Sequence, residues 1–219
     1  MELDTRLIPI LKELMAPYPN VEIIHGDILS LDVAALIQRH TLYENVKVVA
    51  NLPYYITTPI IMDLLEKGYP LASITVMMQR EVADRLKAAP GTKDYGALTL
   101  AVQYYAQPYL VANVPQNCFM PRPGVDSAVV RLTRLAQPRV QAKDPSILFG
   151  IIKAAFGQRR KTLVNGLSHQ LGYPFSKEDW AHILASTGQP ATIRGEALSL
   201  AEFAALADEV YDRLRAEEI

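Results

Sequence analysis

Val46-Lys47-Val48-Val49-Ala50-Asn51-Leu52-Pro53-Tyr54-Tyr55-Ile56 is the stretch on which the fold turns. Its first five residues form an apolar run with little alternation, which suits a strand in a sheet covered on both faces by helices. Ligands of open α/β sheets bind beyond the carboxyl ends of the strands. Asn51 stands at that end, Pro53 fixes the turn that follows, and Tyr54 offers a ring there. Upstream, Val21 to His25 reads as another strand, ending at Gly26-Asp27, and downstream Ser73 to Gln79 reads as a third. Helical patterns fill the intervals at residues 5–15, 32–39, 57–67, 80–88 and 96–106. Thr57-Thr58-Pro59 offers a capping hydroxyl and a first-turn proline. Tyr109 to Val114 and Asp126 to Leu135 read as an antiparallel pair closing the sheet. Beyond them the pattern is helical at 145–156, 160–171, 176–187 and 199–216, punctuated by Pro174, Gly188-Gln189-Pro190 and Gly195. The expectation is an α/β domain over residues 1–138 and an all-helical domain over 139–219.

The chain has 219 residues, of which half are apolar and 21% charged, with mean hydropathy +0.07. That allows one medium domain with an appendage and a sizeable core, and it excludes global disorder. No apolar run is long enough to cross a bilayer, and no basic, apolar and small-residue sequence reads as a secretory signal. Cys118 stands alone, which excludes an intramolecular disulfide and a cysteine-rich zinc site. His25, His40, His169 and His182 lack HxxxH or HxE spacing, so no metal is assigned. A soluble, cytoplasmic protein without membrane contact is expected.

The net charge of −1 conceals an asymmetry. Residues 1–130 carry 10 Lys/Arg and 13 Asp/Glu, residues 131–177 carry 9 and 1, and residues 178–219 carry 3 and 9. A basic stretch between acidic neighbours suits a local polyanion-binding surface, and suits equally a helical face compensated in space.

Asn51-Leu52-Pro53-Tyr54 is a polar-x-Pro-aromatic arrangement suited to methylating an exocyclic amino group. An adenine amino nitrogen gives its lone pair to the ring and is a poor nucleophile. The Asn51 side-chain oxygen and the Leu52 carbonyl could accept its two hydrogens, while Tyr54 stacks on the extruded base. Alignment and desolvation would then carry the chemistry, with no proton-abstracting side chain. A plain strand-to-helix turn explains the tetrapeptide alone equally well.

Four further motifs follow in order: Gln79-Arg80-Glu81-Val82-Ala83, Tyr95-Gly96-Ala97-Leu98, Phe119 to Arg131 (FMPRPGVDSAVVR), and Ala155 to Leu163 (AFGQRRKTL). Together with Asn51 to Ile56 they closely resemble the ribosomal RNA adenine N6,N6-dimethyltransferases of the kasugamycin-sensitivity type, along essentially the whole chain. The resemblance implies a class I, Rossmann-like methyltransferase sheet and a helical RNA-binding domain. It implies S-adenosylmethionine as methyl donor, with Glu2 on its ribose hydroxyls, Asp27 on its adenine, and Ile28 flanking the ring beside Asn51. Asn51, Leu52, Pro53 and Tyr54 match the catalytic motif, and Phe119 the aromatic that helps hold the target. The implied substrate is a pair of adjacent adenosines in the 3′-terminal hairpin of 16S ribosomal RNA within the immature 30S subunit. Related methylases of large-subunit RNA fit the Phe119 and Gly157 motifs less well.

In that context the basic stretch reads as an RNA-docking surface, with Arg159, Arg160 and Lys161 at its centre and Arg131, Arg134 and Lys153 extending it. One departure stands out. No G-x-G-x-G string occurs, and the chain begins where the second strand of such a sheet should end. The expectation is a sheet without its first strand and glycine-rich loop, hence with unpaired edges that invite oligomers. An engineered truncation, a gene fragment and a natural short form remain open as origins. A catalytically inactive ribosomal-RNA-binding assembly protein is the alternative to the enzyme.

Overall fold

The computed structural model describes residues 1–40 and 45–217. Two helices come first, α1 (Leu7–Met15) and α2 (Val33–His40), followed by strand β1 (Val46–Asn51), α3 (Thr57–Glu66) and β2 (Leu71–Gln79). Then come α4 (Arg80–Leu86), α5 (Ala97–Tyr105), β3 (Ala106–Val114) and β4 (Ser127–Arg134). Four helices complete the chain: α6 (Pro145–Gly157), α7 (Leu163–Gln170), α8 (Lys177–Ser186) and α9 (Leu200–Glu217). The sheet runs β1-β2-β4-β3, with β1 and β2 parallel and the other two pairings antiparallel. Among the described residues no helix is long and apolar enough to cross a membrane.

Burial alternates along β1 and, less regularly, along β2 and β4. Val48, Ile74, Val130 and Leu132 turn toward a core shared with Ile61, Leu64 and Leu65 of α3 and with Val102 of α5. The opposite face is open. Val49, Thr75, Arg131 and Tyr109 form one row across all four strands, and Val49 is 80% exposed. The expected cover on both faces is therefore corrected to one. An apolar run reports a capacity for burial, and here no described helix packs on the second face.

Residues 21–25 also depart from expectation, since they form no ladder. A single parallel bridge joins Glu2 to His25, with Glu2 N–H donating to the Ile24 carbonyl and Gly26 N–H to the Glu2 carbonyl, both at 3.0 Å. A strand needs a neighbour along its length, and only the first residues run beside this one. No residue of α1 is buried, and Leu7, Ile10 and Leu14 face outward.

The second core is helical. Leu148, Ile151 and Ile152 of α6 pack with Trp180, Ile183 and Leu184 of α8 and with Phe203, Leu206 and Val210 of α9. Tyr95, Leu100 and Tyr104, from the sheet-forming half of the chain, are built into this same cluster.

Candidate catalytic and RNA-binding sites

Asn51 ends β1, level with Met77 of β2 and Val129 of β4. Beyond it the chain leaves the sheet, and the turn is locked from within. Ile56 N–H donates to the Pro53 carbonyl at 3.2 Å, and the buried Thr57 hydroxyl donates to the same oxygen at 3.0 Å. Thr57 thus braces the Asn51-to-Tyr54 turn rather than capping α3, whose cap residue is Ile56. Leu52 and Ile56 pack against the sheet core and anchor the turn. Tyr54 is half-buried, and its hydroxyl lies 2.6 Å from Ser127 Oγ at the start of β4.

Phe119 comes to the same end of the sheet by a different route. It follows a short 3-10 turn (Gln116–Cys118) in the loop between β3 and β4. Asp126 closes that loop by accepting from Gln116 N–H at 2.9 Å, and its carbonyl accepts from Arg80 N–H at the start of α4. The Phe119 loop therefore ends one residue before Ser127, the partner of Tyr54.

Glu2 and Asp27 share the neighbourhood of the Glu2–His25 bridge. One Glu2 oxygen accepts from Leu3 and Asp4 N–H at 2.8 and 2.9 Å, and one Asp27 oxygen accepts from Leu29 N–H at 3.0 Å. Among the described residues the second oxygen of each carboxylate has no hydrogen-bond partner, and Ile28 lies half-buried beside Asp27. These residues fit the nucleoside end of S-adenosylmethionine. Among the described residues no strand joins the Glu2 segment to β1, whose one partner is β2, and the sequence offers no glycine-rich turn for the methionine end.

The basic loop lies between α6 and α7. Phe156 to Lys161 line a cavity of about 400 Å³ open to solvent. Two distant segments close around it. The Arg159 guanidinium donates to the Lys93 carbonyl at 3.0 Å, pairs with Glu196 at 3.3 Å and sits over the Phe156 ring. Gly91 N–H donates to the Glu196 carbonyl, and Leu163 N–H to that of Ile193. Gly195 makes this approach possible, since a Cβ there would lie 2.7 Å from the Ala155 Cβ. Residues 93 and 193–196 thereby close on the loop, through the Lys93, Ile193 and Glu196 carbonyls and the Glu196 carboxylate.

The other basic residues have different settings. Arg131 covers Tyr109 on the open sheet face, Arg134 donates to the Leu65 carbonyl at 3.2 Å, and Lys153 is exposed on α6. Arg131 and Arg134 thus belong to the sheet.

Residues 1–194 match the family model described as ribosomal RNA adenine dimethylase. The chain is 53% identical over 216 residues to ribosomal RNA small subunit methyltransferase A of Lachnoclostridium phytofermentans, covering 98% of this chain and 74% of that protein. It is 50% identical over 212 residues to the protein of the same name from Anoxybacillus flavithermus, with coverages of 96% and 72%. Among solved structures, a dimethyladenosine transferase from Plasmodium falciparum superposes with a TM-score of 0.75 at 24% identity, covering 97% of this chain and 81% of that one. The 23S rRNA methyltransferase ErmE gives a TM-score of 0.65 at 24% identity, with coverages of 96% and 80%. These two establish likeness of fold.

Proposed function

This chain belongs to the ribosomal RNA adenine dimethylase family, and from that premise we propose that it dimethylates N6 of two adjacent adenosines in the 3′-terminal hairpin of 16S ribosomal RNA. It does so in the cytoplasm during maturation of the 30S subunit. The observation that carries the reading is the braced turn from Asn51 to Tyr54 at the carboxyl end of β1, with the Tyr54 ring tethered to β4. S-adenosylmethionine, when bound, supplies a methyl group on a positively charged sulfur. Glu2, Asp27 and Ile28 would hold its nucleoside end.

The chain's own residues carry the rest. Tyr54 and Phe119 hold the target base out of its stack. In the first transfer Asn51 Oδ1 and the Leu52 carbonyl accept the two amino hydrogens, which turns the nitrogen lone pair out of conjugation; each transfer adds a methyl group and releases one N6 proton to solvent, and in the second the one remaining hydrogen keeps a single acceptor. Pro53 and Thr57 keep the acceptors in place, so their alignment is set before the base arrives. Residues 139–219 act as the RNA-docking domain. Arg159 organises its basic loop, while the exposed Arg160 and Lys161 supply cations for the phosphates. Arg131, Arg134 and Lys153 extend the positive field.

One observation favours a second reading, a catalytically inactive ribosomal-RNA-binding assembly protein. Glu2 and Asn51 stand on separate ladders among the described residues. The two readings separate in one experiment on this chain. S-adenosylmethionine is titrated calorimetrically, and methyl transfer to immature 30S subunits is then measured for the unmodified protein and for Asn51→Ala. The enzyme reading expects binding, transfer, and a loss on the order of 100-fold in Asn51→Ala at unchanged RNA affinity. Tight RNA binding with neither heat nor transfer would establish the inactive reading instead.

A further inference from the structure

Ser127 opens β4 at the point where three strands meet, paired with Gln79 of β2 and Val114 of β3. It is 0% exposed, yet it carries a hydroxyl that must be satisfied. Among the described residues its side chain has one hydrogen-bond partner, the hydroxyl of Tyr54 at 2.6 Å. Burial of Ser127 alone does not explain this pairing. Tyr54 is only half-buried and could turn its hydroxyl to water, and an alanine at 127 would meet the packing requirement without any polar group.

The consequence falls on the ring. A tyrosine after a turn keeps freedom about both side-chain torsions, and each rotation changes the plane it offers to a stacked base. Here the backbone end is fixed by the two bonds to the Pro53 carbonyl, and the far end by Ser127. Asn51, Met77 and Val129 form one row across the sheet, and Gln79 and Ser127 form the next row of that face. The tether therefore sets the ring plane relative to the Asn51 acceptor, one row away.

We propose that Ser127 is a positioning residue for methyl transfer, its buried hydroxyl holding the Tyr54 ring in the plane that receives the target adenine. This rests on the reading of Tyr54 as the stacking residue. Ser127 touches neither RNA nor methyl donor. Its effect is on the rate constant and on the state of the base, while overall RNA affinity stays with the basic loop.

The test uses the full chain and a hairpin RNA carrying 2-aminopurine at the target adenosine, whose fluorescence reports stacking of the extruded base without any methyl donor. Tyr54→Phe removes the hydrogen bond from a half-buried position and keeps the ring; Ser127→Ala removes it from the buried side. Each is expected to weaken the bound-state fluorescence change, and to slow single-turnover transfer to adenine RNA, by about three- to tenfold, the range of one lost hydrogen bond. RNA affinity by anisotropy stays unchanged, and the double variant is no worse than either single one, because both remove the same interaction. Tyr54→Phe alone decides the matter if Ser127→Ala does not fold. If Tyr54→Phe behaves as the unmodified protein while Tyr54→Ala loses the signal, Ser127 is structural only, and the stacking reading survives without it. If Tyr54→Ala also keeps the signal, the stacking reading falls and the proposal with it.

Discussion

The guanidinium of Arg159 donates to the Lys93 carbonyl and pairs with Glu196, whereas Arg160 and Lys161 in the same loop make no ion pair among the described residues. Three consecutive cations thus divide into one that builds the loop and two that face solvent. In RNA binding, the Arg160→Ala/Lys161→Ala double variant should flatten the dependence of log affinity on log salt by roughly one unit per lost phosphate contact, with the urea midpoint unchanged. Arg159→Ala should instead lower both affinity and the urea midpoint, since it releases the 157–161 loop from residues 93 and 196. Titrations at four potassium chloride concentrations, with a urea melt of each variant, distinguish the two patterns. An unchanged salt slope in the double variant would show that these side chains are only a solvated face.

Single elements show why some of the fold was legible in sequence and some was not. The helices of the second half were readable because their signals are local, a helical pattern punctuated by Pro174, Gly188-Gln189-Pro190 and Gly195; the structure adds a Ser176–Asp179 capping box at α8 and reciprocal Ser199–Glu202 bonds at the start of α9. The strands 46–51 and 71–79 were readable from β-branched runs, but which faces they bury was not, because that depends on what packs against them. Thr57 looked like a cap, and its bond to the Pro53 carbonyl became visible only when the turn closed. Likewise the turn from Asn51 to Tyr54 at the strand end was legible while Ser127, 73 residues beyond Tyr54 and its partner, was not. The α9 cap carries a pH prediction. Hydrogen bonds from Ser199 backbone and hydroxyl, and a weaker one from Gln189, hold the Glu202 carboxyl below its ordinary value of 4.5. A lowered folded-state value means that this stabilisation is complete above the unfolded value and is lost as pH falls through the folded one. Glu202→Gln keeps an acceptor but removes the charge, and should therefore cost stability at pH 7, by about 0.3–1 kcal/mol. Below pH 4.5 the difference from the unmodified protein should shrink toward zero. Urea melts at neutral and acid pH check both signs; a constant difference would exclude the carboxylate as its source.

Across the whole molecule the sheet and the helical unit are joined through residues that belong to both. α5 begins just after Tyr95 and runs to Tyr105; it gives Val102 to the sheet core and Leu100 and Tyr104 to the helical core. The Tyr95 hydroxyl, buried, donates to the Leu198 carbonyl at 2.7 Å, just ahead of α9. Desolvation pushes that phenol well above its ordinary range, so it is a donor at neutral pH. Under the proposed function such a joint has a consequence, because it would hold the basic loop at a fixed separation from the Asn51 turn. It also makes unfolding a shared event. Trp180 is the one tryptophan of the chain and lies in the helical core, so its fluorescence follows that core while far-ultraviolet dichroism follows the whole. The two signals should give coincident urea transitions. Tyr95→Phe leaves the Leu198 carbonyl without its buried donor and should shift both transitions together, by about 1–3 kcal/mol. A shift confined to Trp180 fluorescence would mean that the helical unit unfolds independently, and the distance between the basic loop and the Asn51 turn would then not be fixed by α5.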